Sequence, residues 1–166
     1  MAHTGIFGPT RSGKTTLAKS LCGEFESRGI RCLVLDPYDA IWPSTWKTRD
    51  ITAFIAKAKT SRRCALFVDE AGQLDLREPA HEWLLTGAAQ WGHLTHIIGQ
   101  SGVHLSPVGR AQITRLFLFR STVETADYWR NVFVDDGIMA ATTLERWQFL
   151  EAKMFGGVRV CTLKLS

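Results

Sequence analysis

The 166-residue sequence predicts an α/β fold: a mainly parallel twisted sheet with helices on both faces, three αβα layers in all. Three observations predict it. Short apolar runs alternate with longer amphipathic ones along the chain. The short runs are apolar almost throughout, as strands covered on both faces must be. The first of them feeds a glycine-containing stretch, GPTRSGKTT (8–16), that opens the first helical run. No repeat, low-complexity segment or linker breaks the pattern, so residues 1–166 are expected to form a single domain.

The elements follow in order. HTGIFG is the first strand, and Lys14 to Ser27 a helix stopped by Gly29. RCLVLDP is the second strand, closed by Pro37. The Trp- and Pro-bearing run YDAIWPSTWKT reads as a loop, leading to a helix from about Arg49 to Lys59. RCALFVDEAG contains the third strand. REPAHEWLLTGAAQWG reads as one helix, with Pro79 in its first turn and Gly92 beyond its end. LTHIIGQS and ITRLFLFRS are the fourth and fifth strands, joined by a polar loop, HLSPVGRAQ. VETADYWRNVF is a further helix. The run TTLERWQFLEAKM follows, then a strand-like run, GVRVCTLKLS, expected at an edge of the sheet.

Composition narrows the class. Hydrophobic and charged shares of 45% and 22% are ordinary for a globular protein, and the formal charge of +4 suits a polyanionic partner without requiring one. Cys22, Cys32, Cys64 and Cys161 form no C-x-x-C pair and sit mainly beside apolar runs, so free buried thiols and a reducing compartment are expected. No apolar run reaches the roughly 18 residues of a membrane span, and a signal peptide is not recognisable. Cytoplasmic localisation follows. The six tryptophans are scattered, which reads as core and interface packing rather than a base-stacking series.

The chemistry begins at Gly8. GPTRSGKT fits G-x-x-x-x-G-K-[ST] at every position. Gly8 and Gly13 let the backbone approach phosphates closely, while Pro9, Thr10, Arg11 and Ser12 span the loop between them. Lys14 would neutralise the β- and γ-phosphates of ATP, and the Thr15 hydroxyl would meet Mg2+, with Thr16 in the same first helical turn. ALFVDE then ends an apolar strand on two acids. Asp69 is placed to hold the magnesium and Glu70 to act as general base on the attacking water. Gln100, at the end of the fourth strand, could sense the γ-phosphate if that strand lies beside the other two.

Taken together, GPTRSGKT, LVLDP, LFVDEAG, WGHLTHIIGQS and RLFLFRS resemble the FtsK/HerA superfamily of P-loop NTPases, over roughly Gly5 to Ser121. Within it the chain is most similar to small viral genome-packaging ATPases. The resemblance implies a RecA-like P-loop fold and an Mg-dependent ATPase that moves double-stranded DNA without sequence preference. It also implies a ring, usually a hexamer, with capsid or portal-vertex proteins as further partners. Residence in the host cytoplasm, or in the virion, goes with it. Gly8, Gly13, Lys14 and Thr15 become the nucleotide loop, Asp69 and Glu70 the metal-holding and water-activating acids, and Gln100 the sensor. A chain that opens at strand one, without barrel, anchor or DNA-reading tail, suits a lean motor core.

One departure stands out. Relatives often carry an arginine just before the glycine preceding the fourth strand, where this chain has Ala89 and Gln90. The arginine that completes a neighbour's site must then come from Arg110, Arg115 or Arg120, with Arg110 first because its loop should be exposed. Two other readings share the loop: a nucleoside or nucleotide kinase, and an ATP-dependent switch or assembly factor that moves no DNA. A kinase would need an arginine-rich lid that the sequence before Arg110 does not offer, and would have less use for Glu70.

Overall fold

In the computed structural model, which describes residues 3–165, the chain runs β1 (His3–Phe7), α1 (Lys14–Ser27), β2 (Cys32–Leu35), β3 (Trp46–Thr48), α2 (Ile51–Lys59), β4 (Ala65–Val68) and α3 (Pro79–Thr86). It continues through β5 (Leu94–Gly99), α4 (Pro107–Ala111), β6 (Ile113–Phe119), α5 (Val123–Phe133), β7 (Gln148–Lys153) and β8 (Gly157–Thr162). Short 3-10 turns cover Ala71–Gln73, Ala88–Trp91 and Asp136–Thr143.

All eight strands form one sheet in the order β3-β2-β4-β5-β1-β6-β7-β8. The first six are mutually parallel; β7 pairs antiparallel with β6, and β8 antiparallel with β7. The central strands are buried on both faces, which explains their unbroken apolar sequence. One face packs under α1, where Leu17, Ala18 and Cys22 meet Ile6, Val34 and Phe67. The other packs under α2, α3 and α5, through Phe54, Leu84, Leu85 and Trp129. Each such leucine or phenylalanine withdrawn from water contributes about 1.5–3 kcal/mol, so the two layers hold the sheet from both sides.

The structure departs from the sequence reading in four places. The loop 38–48 ends in β3, a short edge strand paired with β2. The helix read within REPAHEWLLTGAAQWG, with Gly92 beyond its end, stops at Thr86. A Cβ on Gly87 would lie 2.3 Å from Cδ1 of Trp83, whose indole occupies that space. Part of HLSPVGRAQ is helical, because Ser106 caps the N–H of Gly109 and Pro107 fills the first position. Finally, Gln148–Lys153, within the run 142–154, is the strand that links β6 to the edge strand β8. The expected edge position of the last strand holds.

Cys22, Cys32 and Cys64 are buried and Cys161 half-buried, all as free thiols. Among the described residues no helix is long and apolar enough to cross a membrane.

Candidate nucleotide site

The site is assembled at the C-terminal edge of the parallel strands. β1 ends at Phe7, and the loop from Gly8 to Gly13 returns the chain into α1. Gly8 N–H donates to the carbonyl of Gly99 at the end of β5, which ties the loop to the neighbouring strand. A side chain at Gly8 would press to 2.7 Å from Cβ of Phe119, and Gly13 holds φ at 110°, a backbone that favours glycine. Whereas α2, α4 and α5 each begin with a side-chain cap, no side chain caps α1. Its first N–H groups stay available to an anion, with the helix dipole behind them.

Lys14 is 5% exposed, and its Nζ donates to the Gly8 carbonyl (2.9 Å), so the side chain lies back across the loop. Burial lowers the pKa of this ammonium, while Glu70 and Asp69 oppose the shift. Thr15 Oγ1 lies 3.5 Å from Asp69 Oδ2 and donates to it. Asp69 is 5% exposed at the end of β4 and accepts the N–H of Glu70 (2.9 Å). Burial, with Asp36 and Glu70 adding to it, pushes its carboxyl up to about 6. Glu70 itself sits in the left-handed region (φ 53°, ψ 45°) and turns the chain out of the strand.

Glu70 and Gln100 line one cavity of about 570 Å³, together with Thr10 of the loop and Gly99. The condition placed on Gln100 is met, because β5 lies between β4 and β1. Behind it, Trp129 of α5 donates to the Ser101 carbonyl (2.7 Å) and stacks on Phe7 at 5.2 Å. Gly102, at φ 72°, lets the loop close over both rings, since a Cβ there would reach 2.6 Å from each. The loop that carries Gln100 is therefore anchored to the core.

The donor set suits Mg·ATP. Ser12 Oγ is buried without a hydrogen-bond partner beside the loop. A hydroxyl and a carboxylate are the oxygen ligands that magnesium takes from protein when phosphates and water supply the rest. Among the described residues no group of three or more His, Cys, Asp or Glu could hold a metal ion without such help.

The arginines divide differently from the expectation. Arg110 is not on an exposed loop but in α4, half-buried, with Nη1 donating to Tyr128 Oη (3.2 Å) and its guanidinium 5.4 Å from that ring. It also lies at the N-terminal edge, since α4 leads directly into β6, whose Ile113 pairs with His3. Arg115 is pinned to Glu151 (3.4 Å) and over Phe117. Arg120 is exposed at the end of β6 and shares a second cavity, about 600 Å³, with Pro9, Gln100 and Ser101. Of the three, only Arg120 stands at the loop's edge within its own subunit. Its place one residue beyond a strand that runs beside β1 was the signal available in the sequence.

Strand order, phosphate loop and acid-ended strand define a P-loop NTPase fold, as the sequence leads one to expect. A family model described as "ATPase family associated with various cellular activities (AAA)" matches residues 5–84. The fold is similar to that of the genome packaging NTPase B204 from Sulfolobus turreted icosahedral virus 2, solved in complex with AMPPCP. That comparison has a TM-score of 0.79 and 16% identity and covers 99% of this chain and 98% of that one. The monomer form of the pCW3 conjugation coupling protein TcpA, with ATPgS, matches at TM-score 0.75 and 11% identity, over 97% of this chain and 59% of that one. The N-terminal domain of zonular occludens toxin from Neisseria meningitidis matches at TM-score 0.65 and 16% identity, over 100% and 95%. Comparison of the sequence with curated proteins gives no match.

Proposed function

We propose that this chain is an Mg-dependent ATPase, a single-domain motor that translocates double-stranded DNA during viral genome packaging. One observation carries the nucleotide part. At an uncapped helix start Lys14 and Thr15 meet Asp69, 54 residues beyond Thr15, beside the cavity lined by Glu70 and Gln100. The likeness in fold to a genome packaging NTPase, spanning nearly the whole of both chains, supports the DNA part.

In this reading Gly8 to Thr16 bind the triphosphate through loop and first-turn N–H groups. Lys14 leaves the Gly8 carbonyl to neutralise phosphate charge, which accumulates in the transition state. Thr15 and Asp69 would hold magnesium, which when bound shields phosphate charge and helps orient the γ-phosphoryl group. Glu70 takes the proton from the attacking water and Gln100, which lines the same cavity, orients that water. A second positive charge comes from an arginine of the neighbour in a ring, taken as a hexamer. Arg110 is the first candidate if the neighbour's N-terminal strand edge faces this site. Capsid or portal-vertex proteins are the further partners, in the host cytoplasm or the virion.

The test is ATP turnover with and without duplex DNA, beside a panel of nucleoside acceptors. DNA-stimulated phosphate release is the expected result. Phosphorylation of an acceptor would make the chain a kinase, and turnover indifferent to DNA would make it a switch.

A further inference from the structure

The phosphate loop occupies one edge of the sheet; a different chemistry gathers at the other. Arg31 immediately precedes β2, Arg62 and Arg63 precede β4, and Lys57 and Lys59 end α2, so all five cations emerge at the N-terminal edge of the parallel strands. All five are exposed. They form one patch: Arg31 Nη2 donates to the Arg62 carbonyl (3.4 Å), Arg62 Nη1 donates to the Ser61 carbonyl (2.9 Å), and Arg63 N–H donates to the Trp91 carbonyl (3.1 Å).

Two half-buried tryptophans floor the patch. The Arg62 guanidinium lies 3.7 Å from the centre of the Trp91 ring, Lys59 Nζ lies 5.1 Å from that of Trp83, and the two indoles meet edge to face at 6.1 Å. Such contacts hold the long stems in place while the charged heads remain in water. None of the five cations forms an ion pair among the described residues. Two acids near the end of α1 are otherwise engaged: Glu24 pairs with Arg28, and Glu26 accepts bonds from Cys32 and Thr45. The patch thus carries more positive charge than the net +4 of the whole chain.

Uncompensated cations of this kind repel one another unless a polyanion neutralises them. Here they are prearranged on a rigid aromatic floor, which reduces the ordering cost of contact with a row of phosphates. We propose that this N-terminal-edge patch, built on Arg31, Lys59, Arg62 and Arg63 around Trp83 and Trp91, with Lys57 beside them 5.9 Å from the Trp46 ring, is a docking surface for the phosphate backbone of duplex DNA. It rests on the reading of the chain as a DNA motor and assigns that motor's grip to the edge remote from its own subunit's phosphate loop, on the β2–β4 side and separated by β5 and β1 from Arg110 before β6. The contact is with phosphates, so it is indifferent to base sequence.

The experiment compares the unsubstituted protein with the triple variant Lys59→Gln, Arg62→Gln, Arg63→Gln. A control removes the same charge elsewhere: Arg77→Gln, Lys153→Gln, Lys164→Gln, all exposed and away from the β2–β4 side of the sheet. Fluorescence anisotropy on a random-sequence DNA duplex is read across a salt series, with DNA-independent ATP turnover measured in parallel. Losing three phosphate contacts should weaken binding at least about tenfold at about 100 mM salt and flatten the log–log salt dependence by roughly 2–3. ATP turnover without DNA and the thermal midpoint should stay unchanged, which shows that the variant is folded. Equal duplex affinity in the patch variant and the unsubstituted protein overturns the patch and leaves the motor reading standing. The same holds if the control loses as much affinity as the patch variant. No duplex binding by the unsubstituted protein overturns both readings.

Discussion

Thr15 and Asp69 stand 54 residues apart in sequence, yet Thr15 Oγ1 lies 3.5 Å from Asp69 Oδ2. The contact joins the start of α1, which follows β1, to the end of β4, across the intervening β5. Asp69 is buried near two other carboxylates, Asp36 and Glu70. Asp69→Asn removes a charge whose desolvation burdens the fold. Without nucleotide, the variant should be more stable by about 1–2 kcal/mol, while its affinity for Mg·ATP falls. Thermal melts with and without Mg·ATP check both signs together. A variant destabilised in the absence of nucleotide would show that Asp69 is held by its bonds to Thr15 and Glu70 more strongly than burial opposes it.

Lys14 and Glu70 should fail in different ways. Lys14→Ala removes charge that holds phosphates, so ATP binding itself weakens. Glu70→Gln keeps shape and hydrogen bonding but removes the base, so ATP binds and persists. Equilibrium binding of a fluorescent ATP analogue and single-turnover hydrolysis separate the two. Unchanged hydrolysis by Glu70→Gln would remove its assigned role.

Acid should unfold the chain through its histidines. His96 stacks on Phe67 at 4.3 Å, its Nδ1 is 3.1 Å from the Leu66 carbonyl, and burial lowers its pKa from 6.5 to about 4. Burial lowers His3 to about 4 as well. In the unfolded chain both take up a proton near pH 6.5, in the fold only near pH 4. The unfolded state therefore binds more protons in between, and stability is lost as pH falls through that window. Each contributes up to about 3 kcal/mol, an order-of-magnitude figure. Urea midpoints from pH 7 to pH 4 should fall, and His96→Phe should flatten the fall. An unchanged slope in that variant would mean His96 does not titrate this way.

The trans-acting arginine has a concentration signature. A residue of a neighbour acts only after assembly, so turnover per subunit should rise with protein concentration. Arg110→Ala should lower turnover by about 10³-fold with ATP binding nearly intact. Mixing it with Lys14→Ala subunits should restore part of the activity, because an intact Arg110 can then face an intact loop. Full activity of the Arg110→Ala protein passes the role to Arg115 or Arg120, and the place of Arg120 beside Pro9 and Gln100 makes it the next substitution.

The strand and helix order was legible in the sequence because burial on both faces leaves strands such as CLVL and ALFV apolar throughout. The limits of α1 and α5 were legible too, set by their terminal residues. The strand β3 was not, since its three half-buried residues, Trp-Lys-Thr, carry no alternation to read. Nor was β7, where Gln148 and Lys153 at the ends and the buried Glu151 interrupt the apolar pattern. Glu151 lies there because Arg115, Lys153 and Arg159 surround it, a tertiary arrangement that no local signal announces. In the site, loop spacing placed Lys14 and Thr15, but the position of Arg110 depended on a capped turn and on Tyr128, eighteen residues on.

Movement along DNA is the central claim, and triplex displacement measures it directly. A third strand is annealed at one end of a long duplex, and its release is followed with ATP, without ATP, and with the Glu70→Gln protein. ATP-dependent release by the unsubstituted protein alone, delayed in proportion to the length of duplex ahead of the third strand, is the expected result. Hydrolysis of ATP on that duplex with the third strand still in place would contradict it, and would leave an ATPase that binds DNA without moving along it.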